Sequence, residues 1–173
     1  PSALTWGLRA LGRHPAQDWV ADAMIAADYE SREQGLLDGS GAGMAKFVND
    51  EYGGDSGGPS IHAVNNGSVS YDDVRSIAGT TPILIGGHNW GGPSQGHWVG
   101  VRRYDPDQGL ILANPGGTGP VYGQQVLDRQ AFNARGPWSM VVLQADGAVP
   151  IPVPPVPVPV DPKDVRIAEL EAQ

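Results

Sequence analysis

The chain has 173 residues and no cysteine, which allows one domain with an appendage and excludes disulfides, thiolate zinc sites and iron–sulfur clusters within it. Eleven Lys and Arg stand against 19 Asp and Glu, a net charge of −8, so there is no global basic footprint for nucleic acid and anionic membranes repel the surface. Hydrophobic content of 40% sustains a packed core despite 25 Gly and 16 Pro, and no apolar run approaches the roughly 18 residues of a membrane span.

In chain order, Leu4, Leu8 and Leu11 recur at helical spacing, with Gly12 as the stop. Asp18 is placed to cap a second helix whose inward stripe is Val20, Ala23, Met24 and Ala27. A third helix carries Met44, Phe47 and Val48. A short fourth follows Ser70, with Asp73 at the capping-box position and Val74 and Ile77 inward. The second half reads as strands: Pro82–Gly86, His97–Tyr104, Gly109–Ala113, Val121–Val126 and Trp138–Leu143, with a helical turn at Leu127–Phe132. The turn Asp105–Gln108 makes a hairpin of the second and third. Helices first and antiparallel strands after is an α+β order.

Residues 1–147 form the expected domain. Residues 148–160, AVPIPVPPVPVPV, alternate like a strand, yet six prolines remove the N–H donors that a ladder needs. They read as a polyproline II spacer of about 40 Å rather than a ligand for a Pro-recognition domain. Asp161-Pro162-Lys163-Asp164 then opens a helix over residues 161–173 that leads toward a further module. With Pro1 at one end and that helix at the other, the chain reads as part of a longer polypeptide.

Three motifs offer chemistry that their surroundings do not support. Gly54-Asp55-Ser56-Gly57-Gly58-Pro59 matches the nucleophile loop of trypsin-like serine peptidases, but that loop comes late, after a β-barrel has supplied His and Asp. Here helical sequence precedes it, and its sole upstream histidine is His14 in an interhelical loop. Asp38 to Gly43 suggests a calcium loop, yet Ala42 and Asn49 stand where oxygen ligands are needed, so a helix-starting turn fits better. His88 and His97 flank a Gly-rich loop, but there is no Cys and no HExxH to complete a zinc site. No metal or cofactor is expected.

His97 opens a strand directly after a glycine, where a scaffold presents reactive groups. With the hairpin turn centred near residues 106–107, His97 lies opposite residues 116–117, and Asn114 is about one diagonal away, roughly 7–8 Å at Cα. Spacing alone does not assign Asn114 to a face. A His oriented by a carboxamide is the base-and-orienter half of a nucleophilic triad.

Gly-His-Trp-Val-Gly-Val at residues 96–101, the hairpin, and Leu-Ile-Leu-Ala-Asn-Pro at 110–115 resemble the second half of papain-like cysteine peptidases. They are most similar to the branch that holds bacteriocin-leader (double-glycine) peptidases and related phage domains. Pro1-Ser2-Ala3-Leu4 matches the opening of that branch's first core helix, where Cys-Gly precedes the proline. The resemblance implies a papain-like fold, a helical N-terminal half packed on an antiparallel sheet. It also implies His97 as general base, Asn114 as its orienter, and a nucleophile two residues before Pro1, at the positive end of the helix. Asn114 stands where that branch has Asp. The composition and Pro-rich spacer resemble a modular phage endolysin. That would make the substrate the peptide part of peptidoglycan, the protein a monomer, and its sites of action the host cytoplasm and then the cell wall. A non-catalytic peptide- or wall-binding module and a structural phage component are the alternatives.

Overall fold

The computed structural model describes residues 2–31, 35–36, 41–54, 58–88, 96–114 and 124–147. Leu4 and Leu8, one turn apart, are both buried on helix α1 (Ser2–Ala10), and Gly12 at φ +84° ends the following turn in a conformation open to glycine. Helix α2 (Gln17–Ala26) buries Val20 and Met24. Its N-cap is Ala16, with no side-chain cap, so Asp18 lies inside the first turn and acts on the helix dipole instead. Ala27 is the exposed C-cap, outside the buried stripe. A two-stranded antiparallel pair, β1 (Glu30–Ser31) and β2 (Gly35–Leu36), precedes helix α3 (Ala42–Tyr52). Gly41 at φ +86° caps α3, so Gly41 to Gly43 form a helix start, while residues 38–40 of the Gly-rich run lie outside the described residues.

Strand β3 (Ile61–Asn66) follows, in the half read from sequence as helical. Ile61 and Ala63 point inward, while His62 and Val64 are exposed. The capping box is present at α4 (Tyr71–Ile77): Asp73 N–H donates to Ser70 Oγ at 3.2 Å and Ser70 N–H to Asp73 Oδ2 at 3.0 Å. Then come β4 (Ile83–Gly87), β5 (His97–Asp105), β6 (Gly109–Ala113) and β7 (Gln124–Leu127). Helix α5 (Arg129–Ala134) is capped by Asp128, whose Oδ1 accepts from Ala131 N–H at 2.7 Å, and β8 (Pro137–Ala145) closes the described chain.

Strands β3 to β8 form one antiparallel sheet in the order β3-β8-β4-β5-β6-β7. The last strand therefore inserts between the first and second, tying the two halves of the chain together. The class is α+β, as the order of elements in the sequence indicates, and helices cover both faces. On one face α1, α2 and α3 bury Leu4, Leu8, Met24 and Phe47 against Leu84, Val141 and Leu143. On the other, α4 and α5 bury Val74, Ile77 and Phe132 against Ile83, Ile85, Val99, Leu112 and Met140. With every residue of β4 buried, the central strand reads as a continuous apolar run rather than an alternation.

The β3 edge is closed by a side chain. Asn49 on α3 accepts from Ala63 N–H at 2.8 Å and donates to Ala63 C=O at 3.0 Å, taking the place of a neighbouring strand. Arg13 joins the α1–α2 loop to the approach to β3, donating to Pro59 C=O at 3.0 Å and Gly58 C=O at 3.1 Å and lying over the Tyr52 ring. Among the described residues, no helix is long and apolar enough to cross a membrane.

Candidate functional site

His97 is the first residue of β5 and pairs with Gly87 of β4. Its neighbour Trp98 anchors that end of the strand from the opposite face. The indole lies over Gly86, where an added Cβ would come within 2.8 Å of Cε2, and it also packs on Gly41 at the start of α3. His97 is half-buried and shares its face with Val99 and Val101.

A β-bulge decides where Asn114 points. Near the turn, Asp105 pairs with Gly109, Tyr104 with Leu110 and Arg103 with Ile111. Continued without interruption, this register would set Asn114 against Gly100, on the face that α1 covers. Arg102 is the extra residue, and beyond it Val101 pairs with Leu112 and Gly100 with Ala113. One step further, Asn114 falls opposite Val99, on the face of His97.

The two side chains meet. His97 Nε2 lies 3.1 Å from Asn114 Oδ1, and Asn114 Nδ2 donates to Gln125 Oε1 at 2.9 Å. Because the Asn114 amide nitrogen is directed at Gln125, its oxygen faces the imidazole, and the Nε2 hydrogen is the one that completes the contact. This polarity leaves proton transfer to Nδ1. Asn114 is 6% exposed, so the contact is shielded from competing water.

Gln125 was not singled out from sequence, although a strand was expected there. It shares a face with buried Leu127, while the intervening Val126 is 42% exposed. A polar residue turned in and a valine turned out invert the usual pattern, and that inversion is the signal.

Helix α1 lies across the strand that carries His97, on the face opposite to the His97 side chain. The Trp6 ring packs directly on Gly100, three residues along β5, and Gly7 packs on Leu84 and Leu143. The first turn of α1 holds no acidic side chain and its last turn holds Arg9, so nothing on the helix offsets the positive end of its dipole. Pro1 lies outside the described residues, as do residues 55–57, with Ser56 of the serine-peptidase-like motif, and the tail from 148 onward.

The other histidines lie elsewhere in the fold, except that His88 directly follows Gly87, the β4 partner of His97. His14 is in the α1–α2 loop, His62 Nε2 meets Asp146 Oδ1 at 3.0 Å on the exposed β3–β8 edge, and His88 N–H donates to Gly136 C=O at 3.4 Å. Among the described residues, no three His, Cys, Asp or Glu side chains are grouped to hold a metal. Compared with known proteins, the sequence matches no protein-family model and no curated protein.

Proposed function

We propose that this domain is the base-and-orienter part of a papain-like cysteine peptidase, acting on a thiol carried two residues before Pro1, ahead of α1. The observation that carries the reading is the hydrogen bond between His97 Nε2 and Asn114 Oδ1, 3.1 Å long and shielded, on the strand that α1 crosses. Asn114 holds the ring with Nε2 protonated, and Nδ1 takes the thiol proton. The resulting imidazolium and the helix terminus stabilise the thiolate. After the thiolate attacks the peptide carbonyl, His97 returns the proton to the leaving amine, and it then serves as base for the water that hydrolyses the thioester.

By resemblance to modular phage endolysins, the substrate in this reading is a peptide of peptidoglycan and the domain works as a monomer beside a further module. Its net charge of −8 suits neither nucleic acid nor an anionic membrane as a partner.

The test is to place Cys-Gly before Pro1 and follow alkylation of the new thiol by iodoacetamide against pH. The thiol is expected to react well below its unperturbed pKa of about 8.5, and His97→Ala is expected to abolish the low-pH reactivity. A thiol that titrates normally with or without His97 would sink the peptidase reading and leave a peptide-binding module in its place.

A further inference from the structure

Residues on three adjacent strands line up diagonally on one face of the sheet: His97 on β5, Asn114 at the end of β6 and Gln125 on β7. Each is two residues out of register with the next, the spacing at which side chains of this length reach one another. They make a chain of two hydrogen bonds with a direction, from the ring Nε2–H to Asn114 Oδ1 and from Asn114 Nδ2–H to Gln125 Oε1.

A carboxamide offers an acceptor at one end and a donor at the other, and Asn114 can satisfy both neighbours in either of two orientations. If Gln125 turned its Nε2 toward Asn114, the Asn114 oxygen would swing to Gln125 and the Asn114 amide would donate to His97. The ring would then carry its hydrogen on Nδ1, the nitrogen that has to accept a proton in the reading above. The bond between Asn114 and His97 therefore does not by itself choose the productive tautomer.

We infer that Gln125 is a positioning residue: by presenting Oε1 to Asn114 Nδ2 it fixes the flip of Asn114 and, through it, the tautomer of His97. The catalytic consequence rests on the peptidase reading, whereas the effect on the tautomer does not. Gln125 is suited to the task because it is held in the β6–β7 ladder, where its backbone pairs with Leu112, and its side chain is half-buried.

The experiment is 15N–1H correlation of the histidine rings in the full 173-residue chain, with His97 assigned by its absence in His97→Ala and the rings held neutral at alkaline pH. His97 is expected as the Nε2–H tautomer in the wild type. It should remain so in Gln125→Glu, whose side chain can only accept. In Gln125→Met, which offers no acceptor to fix the flip, the Nδ1–H fraction is expected to rise by at least about threefold, the scale of one lost hydrogen bond.

Asn114→Asp supplies oxygens alone, so adding Gln125→Met to that variant should leave the tautomer unchanged. That pair shows action through Asn114 and keeps the test open if Gln125→Met folds poorly by itself. An unchanged tautomer in Gln125→Met, an Nδ1–H ring in Gln125→Glu, or an equal effect of Gln125→Met in the Asn114→Asp background would overturn the inference. A normal thiol titration in the chain extended by Cys-Gly would remove the peptidase reading and leave these tautomer results standing.

Discussion

At Asn114, two hydrogen bonds of opposite polarity meet on one shielded carboxamide. Replacing it with leucine keeps the volume and removes both of these hydrogen bonds. Asn114→Leu is therefore expected to lose about 1–3 kcal/mol in urea unfolding, more than an isosteric change at an apolar position costs. His97 and Asn114 were legible because a strand start after glycine and an Asn-Pro at a strand end can be read one residue at a time. Their shared face was not, since it depends on the bulge at Arg102. The trace of that bulge is the doublet Arg102-Arg103, both exposed, where strict alternation from Val99 and Val101 would turn Arg103 inward. Gln125 was hidden for a different reason: its role exists only through a partner on another strand.

Between elements, α1 comes close to β5 on the face away from His97, where Gly100 leaves room for the Trp6 ring. Any Cβ at Gly100 would collide with the indole, so Gly100→Ala is expected to destabilise by about 1–3 kcal/mol, as overpacking does. Trp6→Leu in the same chain should recover part of that loss, and a double-mutant cycle measures the coupling.

On the face that carries His97, Arg129 of α5 grips the Asp72 carboxylate of α4 through Nη1 and Nη2 and stacks on the Tyr71 ring. The hydrogen bond from Arg129 holds the Asp72 carboxyl below its ordinary range. A carboxylate depressed in the folded state stabilises fully above its ordinary value, about 3.9, and the gain is lost as pH falls through the folded value. Arg129→Gln should accordingly unfold at lower urea than wild type at pH 7, with the gap closing below about pH 4 and shrinking in salt, as befits an exposed pair.

The elements that sequence patterning rendered well are those with their own punctuation: the Ser70 capping box, the Asp105–Gln108 turn and the Gly12 stop. Strand β3 was missed because Ile61-His62-Ala63-Val64 is short and mixed. It becomes a strand by pairing with β8, which lies more than 70 residues away in the chain.

For the whole molecule, the insertion of β8 between β3 and β4 means that the fold is complete only when residues 137–145 have joined it. Just past that strand, Asp146 N–H donates to Ser60 C=O at 2.9 Å and fastens the end of β8 to the start of β3. The Pro-rich segment beyond has few donors with which to extend the sheet, so removing residues 148–173 is expected to leave the melting temperature nearly unchanged. A calorimetric scan showing a large drop would mean that the tail docks as part of the core.

The Asn49 clamp on Ala63 has a consequence for how the chain reaches this state. While α3 is undocked, β3 is an open template beside the exposed Val64, able to pair with the same strand of another molecule. Docking of α3 and closure of the edge are one event, made by one side chain. The yield of refolding is thus expected to fall as chain concentration rises, because encounter with a second open edge then competes with the docking of α3.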